Sequence, residues 1–141
     1  MTASTLLLDN SAWVRLPILP DERREAIASA LETGHIATCL PLRLEAGYSA
    51  RNARDRQELL GLLDALPRFP IDHEVELRAE DAQDQLTRVG HHRLPPVDLL
   101  VAAIADRHGL GVLHYDHDYD LIAEKTDLVF DSVWVAARGS V

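Results

Sequence analysis

The chain has 141 residues, 47% apolar and 26% charged, which is the size and composition of one globular domain over residues 1–141 and excludes a disordered chain. Its only cysteine, Cys39, excludes an intramolecular disulfide framework and a cysteine-based zinc cage. The balance of 14 Lys and Arg against 23 Asp and Glu, a net −9, argues on its own against a protein that coats itself on phosphate backbones.

In chain order, Met1 to Thr5 offers no positive segment ahead of Leu6-Leu7-Leu8, so no signal peptide is expected. Thr5 to Leu8 is a short apolar run ending at Asp9, which predicts a buried strand. Asp21, placed as an N-cap after Pro20, opens a helix through Ala26, Ile27, Ala30 and Leu31 that Gly34 stops. His35 to Leu40 is a second strand, and Pro41 opens a helix through Leu42, Glu45 and Ser49. A further helix covers Asn52 to Leu66, a brief strand lies around Phe69 to Ile71, and Asp72 caps a helix carrying Val75, Ala79, Ala82, Leu86 and Val89. Pro95-Pro96 breaks the chain before a helix from Val97 that ends at Gly109. That helix holds the longest uncharged apolar run, Leu99 to Ala105, which is too short to span a bilayer, so the expected location is the cytoplasm. Val112 to Tyr115 is a strand, Asp118 to Glu124 a helical turn or two, and Leu128 to Phe130 a final strand. Alternating strands and helices predict an α/β fold in three layers, a mainly parallel sheet between helices.

Ligands of an open α/β sheet bind beyond the carboxyl ends of its strands. Asp9 directly follows one strand, and Asp116 and Asp118 follow another, so three acids reach the same edge. Glu45 shares an otherwise apolar or small stripe with Leu42, Ala46 and Ser49, where an unpaired carboxylate is costly to desolvate. Asp98 lies in the first turn of its helix beside an apolar face. Carboxylates gathered this way cannot all stay ionised without cations among them, and Mg²⁺ or Mn²⁺ is the usual resolution. Acids plus a divalent ion, without a Ser-His pair or a thiol motif, point to phosphoester hydrolysis. The charge objection weakens accordingly, because 13 of the 14 basic residues are Arg, suited to bidentate phosphate contacts.

The residues Leu6-Leu7-Leu8-Asp9-Asn10-Ser11, Leu44-Glu45, Pro96-Val97-Asp98-Leu99-Leu100 and His114-Tyr115-Asp116-His117-Asp118-Tyr119-Asp120 together resemble a PIN domain, most closely the VapC toxins of bacterial VapBC systems. The resemblance covers essentially the whole chain, and its last block is the most specific. It implies a toxin of a type II toxin–antitoxin pair: a Mg²⁺-dependent endoribonuclease, with Mn²⁺ substituting, that cuts structured RNA such as tRNA or rRNA. It further implies a 5′-phosphate product, inhibition by a cognate VapB-type antitoxin, and a homodimer. By position, Asp9, Glu45, Asp98 and Asp116 are the acidic quartet, Asp9, Asp98, Asp116 and Asp118 the metal ligands, and Ser11 the hydroxyl that orients the site. Asn10 departs from the residues common at its place, a difference given no weight.

Plainer readings stand beside these. Asp98 and Asp118 also suit the first turns of helices, and Asp120 suits a solvated surface. His91-His92 with His114 and His117 invite a zinc reading, but adjacent histidines do not readily face one ion. Arg43 and Arg51, with Arg54 and Arg56, are candidate RNA contacts or members of a helix face paired with Asp55 and Glu58. Trp13 reads as core before base stacking, and the leucines from Leu59 to Leu66 as core or dimer surface. A phosphoryl-transfer domain with an Asp nucleophile needs an active-site lysine, for which only Lys125 is present. The alternative outside enzymes is a catalytically silent module that binds RNA or an antitoxin.

Overall fold

A computed structural model describes residues 5–91 and 93–141. Strand β1 (Leu6–Leu8) lies at the centre of the sheet. The short helix α1 (Asn10–Trp13), a 3-10 turn at Leu16–Ile18 and helix α2 (Asp21–Glu32) follow it. Next come β2 (Ile36–Cys39), α3 (Leu40–Tyr48), α4 (Ala53–Leu63), β3 (Arg68–Phe69) and α5 (His73–Arg88). The chain closes with α6 (Pro96–His108), β4 (Gly111–His114), α7 (Asp118–Lys125) and β5 (Ser132–Trp134). Among the described residues the strands form one five-stranded sheet, ordered β3-β2-β1-β4-β5, with every pairing parallel. None of the described helices is long and apolar enough to cross a membrane.

The elements form for local reasons. Asn52 and Asp72 accept hydrogen bonds from the backbone N–H of Asp55 and Val75, capping α4 and α5. Gly109 ends α6 at φ +69°, a left-handed conformation that side-chain-bearing residues rarely adopt. The buried apolar face of α6 (Leu99, Val101, Ala102, Ile104, Ala105) packs with Leu7, Leu8, Val112 and Leu113 of the central strands. Cys39 is buried in that same core, and burial pushes its thiol up to about 12, so it is an inert packing residue. Gly111 is required by close approach: a Cβ there would lie 2.7 Å from Leu6 Cδ2 and 3.1 Å from the Asp131 carbonyl oxygen.

Three expectations need correction. Leu128 to Phe130 is not a strand; the final strand is β5, displaced toward the C-terminus. Leu128 is buried in the core, and its N–H donates to Thr126 Oγ1, while the exposed Val129 donates its N–H to Asp106 Oδ1. These backbone groups are satisfied by side chains, so no strand pairing is needed. Asp21 is not the cap of α2; Pro20 holds that place and Asp21 acts within the first turn, where its charge favours the helix dipole. Asp120 is not a bare surface acid, since it accepts hydrogen bonds from Ser132 Oγ at 2.6 Å and Trp134 Nε1 at 3.0 Å.

Candidate active site

The chain leaves β1 and β4 toward opposite sides, because β2 and β3 extend the sheet one way and β5 the other. A crevice opens at the carboxyl ends of two such strands. Asp9 ends β1 there, 5% exposed, and caps α1. Its Oδ2 accepts from Ser11 N (3.0 Å) and Ser11 Oγ (2.6 Å), and its Oδ1 accepts from Tyr119 Oη (2.7 Å). Ser11 Oγ in turn accepts from the N–H of Tyr115, just past β4, at 2.8 Å. The hydroxyl thus ties the two strand ends together, and both oxygens of Asp9 are engaged.

Asp98 enters from the first turn of α6, only 8% exposed. Tyr119 Oη has one proton, and at 2.7 Å from Asp9 against 3.4 Å from Asp98 it serves Asp9 first. Asp98 Oδ2 is buried with no hydrogen-bond partner among the described residues. Burial, and then the charges of Asp9, Asp116 and Asp118, push the Asp98 carboxyl up to about 7 from an ordinary 3.8. Asp116 and Asp118 project from the segment after β4, where Asp116 Oδ1 accepts from Asp118 N at 3.0 Å. Desolvation, and then Asp116, raise the Asp118 carboxyl as well. One oxygen from each of Asp98, Asp116 and Asp118 lies within 4.8 Å of the other two. Like charges at that spacing repel by roughly 3 kcal/mol per pair at an effective dielectric of about 20, so the trio is poised for a cation.

Glu45, half-buried on α3, falls outside that trio and feels the charge of Asp9. Burial and Asp9 raise its pKa, while a hydrogen bond with the Asn10 side chain pulls it down. Asn10, given no weight in the sequence, is therefore the link between Glu45 and the Asp9 turn. Beneath the crevice His114 is fully buried, and burial lowers it to about 4 against the pull of Asp120, Asp9 and Asp116, so it is neutral. Its Nδ1 faces Asp116 N at 3.1 Å and its Nε2 faces Ser132 Oγ at 2.7 Å. With both ring nitrogens engaged it is not a free ligand, and the metal-capable group among the described residues consists of carboxylates. His92 lies outside the described residues.

The two arginines behave differently. Arg43 is held at 2.8 Å by Asp64, with its side chain 15% exposed, so it braces α3 against α4 and is not presented to a ligand. Arg51 is 85% exposed beside Asp55, and Arg54 pairs with Glu58 across one helical turn. Arg93, not singled out from the sequence, lines a cavity of about 260 Å³ with His91, Leu94 and Asp118, and no ion pair holds it among the described residues. Lys125 sits in the last turn of α7 beside Glu124, which leaves the lysine-dependent phosphoryl-transfer reading without support. Trp13 packs partly buried against the core.

The PIN domain family model matches residues 6–125. The chain is a PIN domain. Over 137 residues it is 37% identical to ribonuclease VapC18 of Mycobacterium tuberculosis, spanning 95% of this chain and 97% of that one. Ribonuclease VapC2 of the same species is 40% identical over 129 residues, spanning 89% and 90%. This PIN domain also superposes on DNA-bound VapBC from Salmonella typhimurium with a TM-score of 0.72 at 17% identity, over 96% of this chain and 100% of that one. With VapBC-5 from Mycobacterium tuberculosis the TM-score is 0.63 at 21% identity, over 92% and 99%. At such identities the likeness is one of fold, and it places this sheet and its helices in the VapC arrangement of the PIN domain.

Proposed function

We propose that this PIN domain is the toxin of a type II toxin–antitoxin pair, an endoribonuclease that hydrolyses phosphodiester bonds with Mg²⁺, or Mn²⁺ in its place. The observation that carries this reading is the trio of Asp98, Asp116 and Asp118, with a buried, unpartnered Asp98 oxygen beside a fully bonded Asp9. Hard carboxylate oxygens without a sulfur or imidazole among them suit Mg²⁺ or Mn²⁺. Asp98, Asp116 and Asp118 would hold the ion, and Asp9, fixed by Ser11 and Tyr119, would support it. When bound, such an ion stabilises charge on phosphoryl oxygens and lowers the pKa of its water.

The rest of the chemistry belongs to the chain. Glu45, kept half-buried with a raised pKa, accepts a proton from the attacking water at its carboxylate. The water oxygen bonds to phosphorus, the bond to the 3′ oxygen breaks, and that oxygen takes a proton from solvent as it leaves, while the 5′-phosphate stays on the downstream fragment. Arg93 and Arg51 supply exposed positive charge to the flanking phosphates of an otherwise acidic surface.

The partner in this reading is a VapB-type antitoxin that covers the crevice, by likeness to relatives whose structures are VapBC complexes. A homodimer belongs to the same proposal; Leu40, Leu44 and Tyr48, one helical turn apart on α3, are exposed apolar surface for an interface. The test is cleavage of a structured RNA by purified protein in Mg²⁺ and in EDTA. Asp116→Asn is expected to lower cleavage at least about 1,000-fold without lowering the melting temperature. Equal cleavage by Asp116→Asn, or undiminished cleavage in EDTA, refutes the proposal.

A further inference from the structure

The segment that presents Asp116 and Asp118 is held by side chains. Tyr115 N–H donates to Ser11 Oγ (2.8 Å), Asp116 N–H to His114 Nδ1 (3.1 Å), and Asp118 N–H to Asp116 Oδ1 (3.0 Å). The second of these bonds begins a longer path. On its far side, His114 Nε2 lies 2.7 Å from Ser132 Oγ, and Ser132 Oγ lies 2.6 Å from Asp120 Oδ1. Trp134 Nε1 donates to the other Asp120 oxygen at 3.0 Å.

Only one assignment of protons satisfies this path. The Asp120 carboxylate accepts, so Ser132 Oγ–H points to Asp120 and its lone pair faces the ring. Nε2 then carries the imidazole proton and donates to Ser132, which leaves Nδ1 bare to accept from the backbone of Asp116. The ring cannot turn away. It stacks on Tyr119 with centroids 4.9 Å apart and meets the edge of Trp134 at 5.2 Å. Tyr119 is also the donor to Asp9, so one packed unit touches both halves of the crevice.

We propose that His114, Ser132 and Asp120 form a positioning chain that fixes the Asp116–Asp118 segment for cation capture, with β5 and α7 acting on the site through the imidazole. None of the three touches substrate in this scheme. The proposal rests on the metal-dependent nuclease reading and extends it to residues outside the acidic quartet. Outer partners that orient ligands typically affect metal affinity or activity by about 10- to 100-fold when removed.

The test uses the full chain and Mn²⁺ as the probe. Ser132→Ala and Asp120→Ala are expected to weaken Mn²⁺ binding by titration calorimetry about 10-fold and to lower kcat with KM for RNA unchanged, while Ser132→Thr, which keeps the hydroxyl, binds and cleaves as wild type. In metal-free protein, amide exchange at Asp116 should speed up in Ser132→Ala and not in Ser132→Thr. His114→Asn keeps an acceptor at the Nδ1 place and loses Ser132; His114→Gln keeps the reach to Ser132 and loses that acceptor. The chain requires both variants to bind Mn²⁺ weakly. Wild-type Mn²⁺ affinity and kcat in Ser132→Ala and Asp120→Ala overturn the positioning chain alone. Should Ser132→Ala fail to fold, Asp120→Ala, at a half-exposed residue, decides the matter by the same two readings. A wild-type protein that neither binds Mn²⁺ nor cleaves RNA overturns the nuclease reading, and the chain with it.

Discussion

Replacing Asp98 with Asn should stabilise the metal-free protein while destroying its response to metal. The folded Asp98 carboxyl sits at about 7, above its ordinary 3.8. Between those values the fold holds a proton that the unfolded chain releases. The contribution to stability is therefore complete below pH 3.8 and is lost as pH rises through about 7. The gap corresponds to a ceiling of roughly 4 kcal/mol. Part of the rise comes from the charges of Asp9, Asp116 and Asp118, and the crevice can relax around them through solvent, so about half of that ceiling, about 2 kcal/mol, is the expected gain for Asp98→Asn at pH 8.5. For a chain of this length it amounts to a rise of about 6 °C in melting temperature. The assay is thermal unfolding in EDTA from pH 4 to 8.5, repeated with Mn²⁺. Wild type and variant should converge toward pH 4 and separate toward pH 8.5. Excess Mn²⁺ at about 100 times its dissociation constant should raise wild type by about 2.7 kcal/mol and the variant far less, reversing the order. An Asp98→Asn protein that melts at or below wild type at pH 8.5 in EDTA would show that this carboxylate carries no strain for a cation to relieve.

Other consequences concern the supports of the crevice and its cations. Tyr119→Phe keeps the ring against His114 but strips Asp9 Oδ1 of its donor, so it should cost about 1–3 kcal/mol in urea unfolding and lower cleavage about 10-fold or more; unchanged stability would mean that Asp9 draws nothing from the phenol. Arg43→Ala should lose about 1 kcal/mol of stability with the KM for RNA unmoved, because Asp64 already holds its guanidinium. Arg51→Ala should do the opposite, raising KM a few-fold and flattening its salt dependence with no change in melting. The same behaviour from both arginines would contradict that assignment.

Much of the site was legible before any coordinates because parallel strands deliver their carboxyl ends to one edge. An apolar run followed by an acid, as at Leu8-Asp9 and again at Tyr115-Asp116, therefore already locates a crevice. Asp98 and Glu45 came from the chemistry of acids on apolar helix faces and from the family pattern. What the sequence hid is the scaffolding. Tyr119 reads as an ordinary core residue of α7, and only packing reveals its hydroxyl between two carboxylates. Asn10 reads as a neutral substitution until α3 brings Glu45 beside it. Two apolar runs compete for the last strand, Leu128 to Phe130 and Val133 to Ala137, and only the pairing with β4 shows that β5 forms at the second. Arg43 and Arg51 are alike in sequence, and only the structure separates a mostly buried guanidinium held by Asp64 from an exposed one in loose contact with Asp55.

The most direct examination is anomalous diffraction from crystals of the protein grown or soaked in Mn²⁺. A peak should stand among Asp98, Asp116 and Asp118, about 2.1 Å from an oxygen of each, and vanish in Asp116→Asn. A cleaving enzyme with no peak there, or with manganese bound elsewhere on the molecule, would contradict the assignment of this crevice as the catalytic centre.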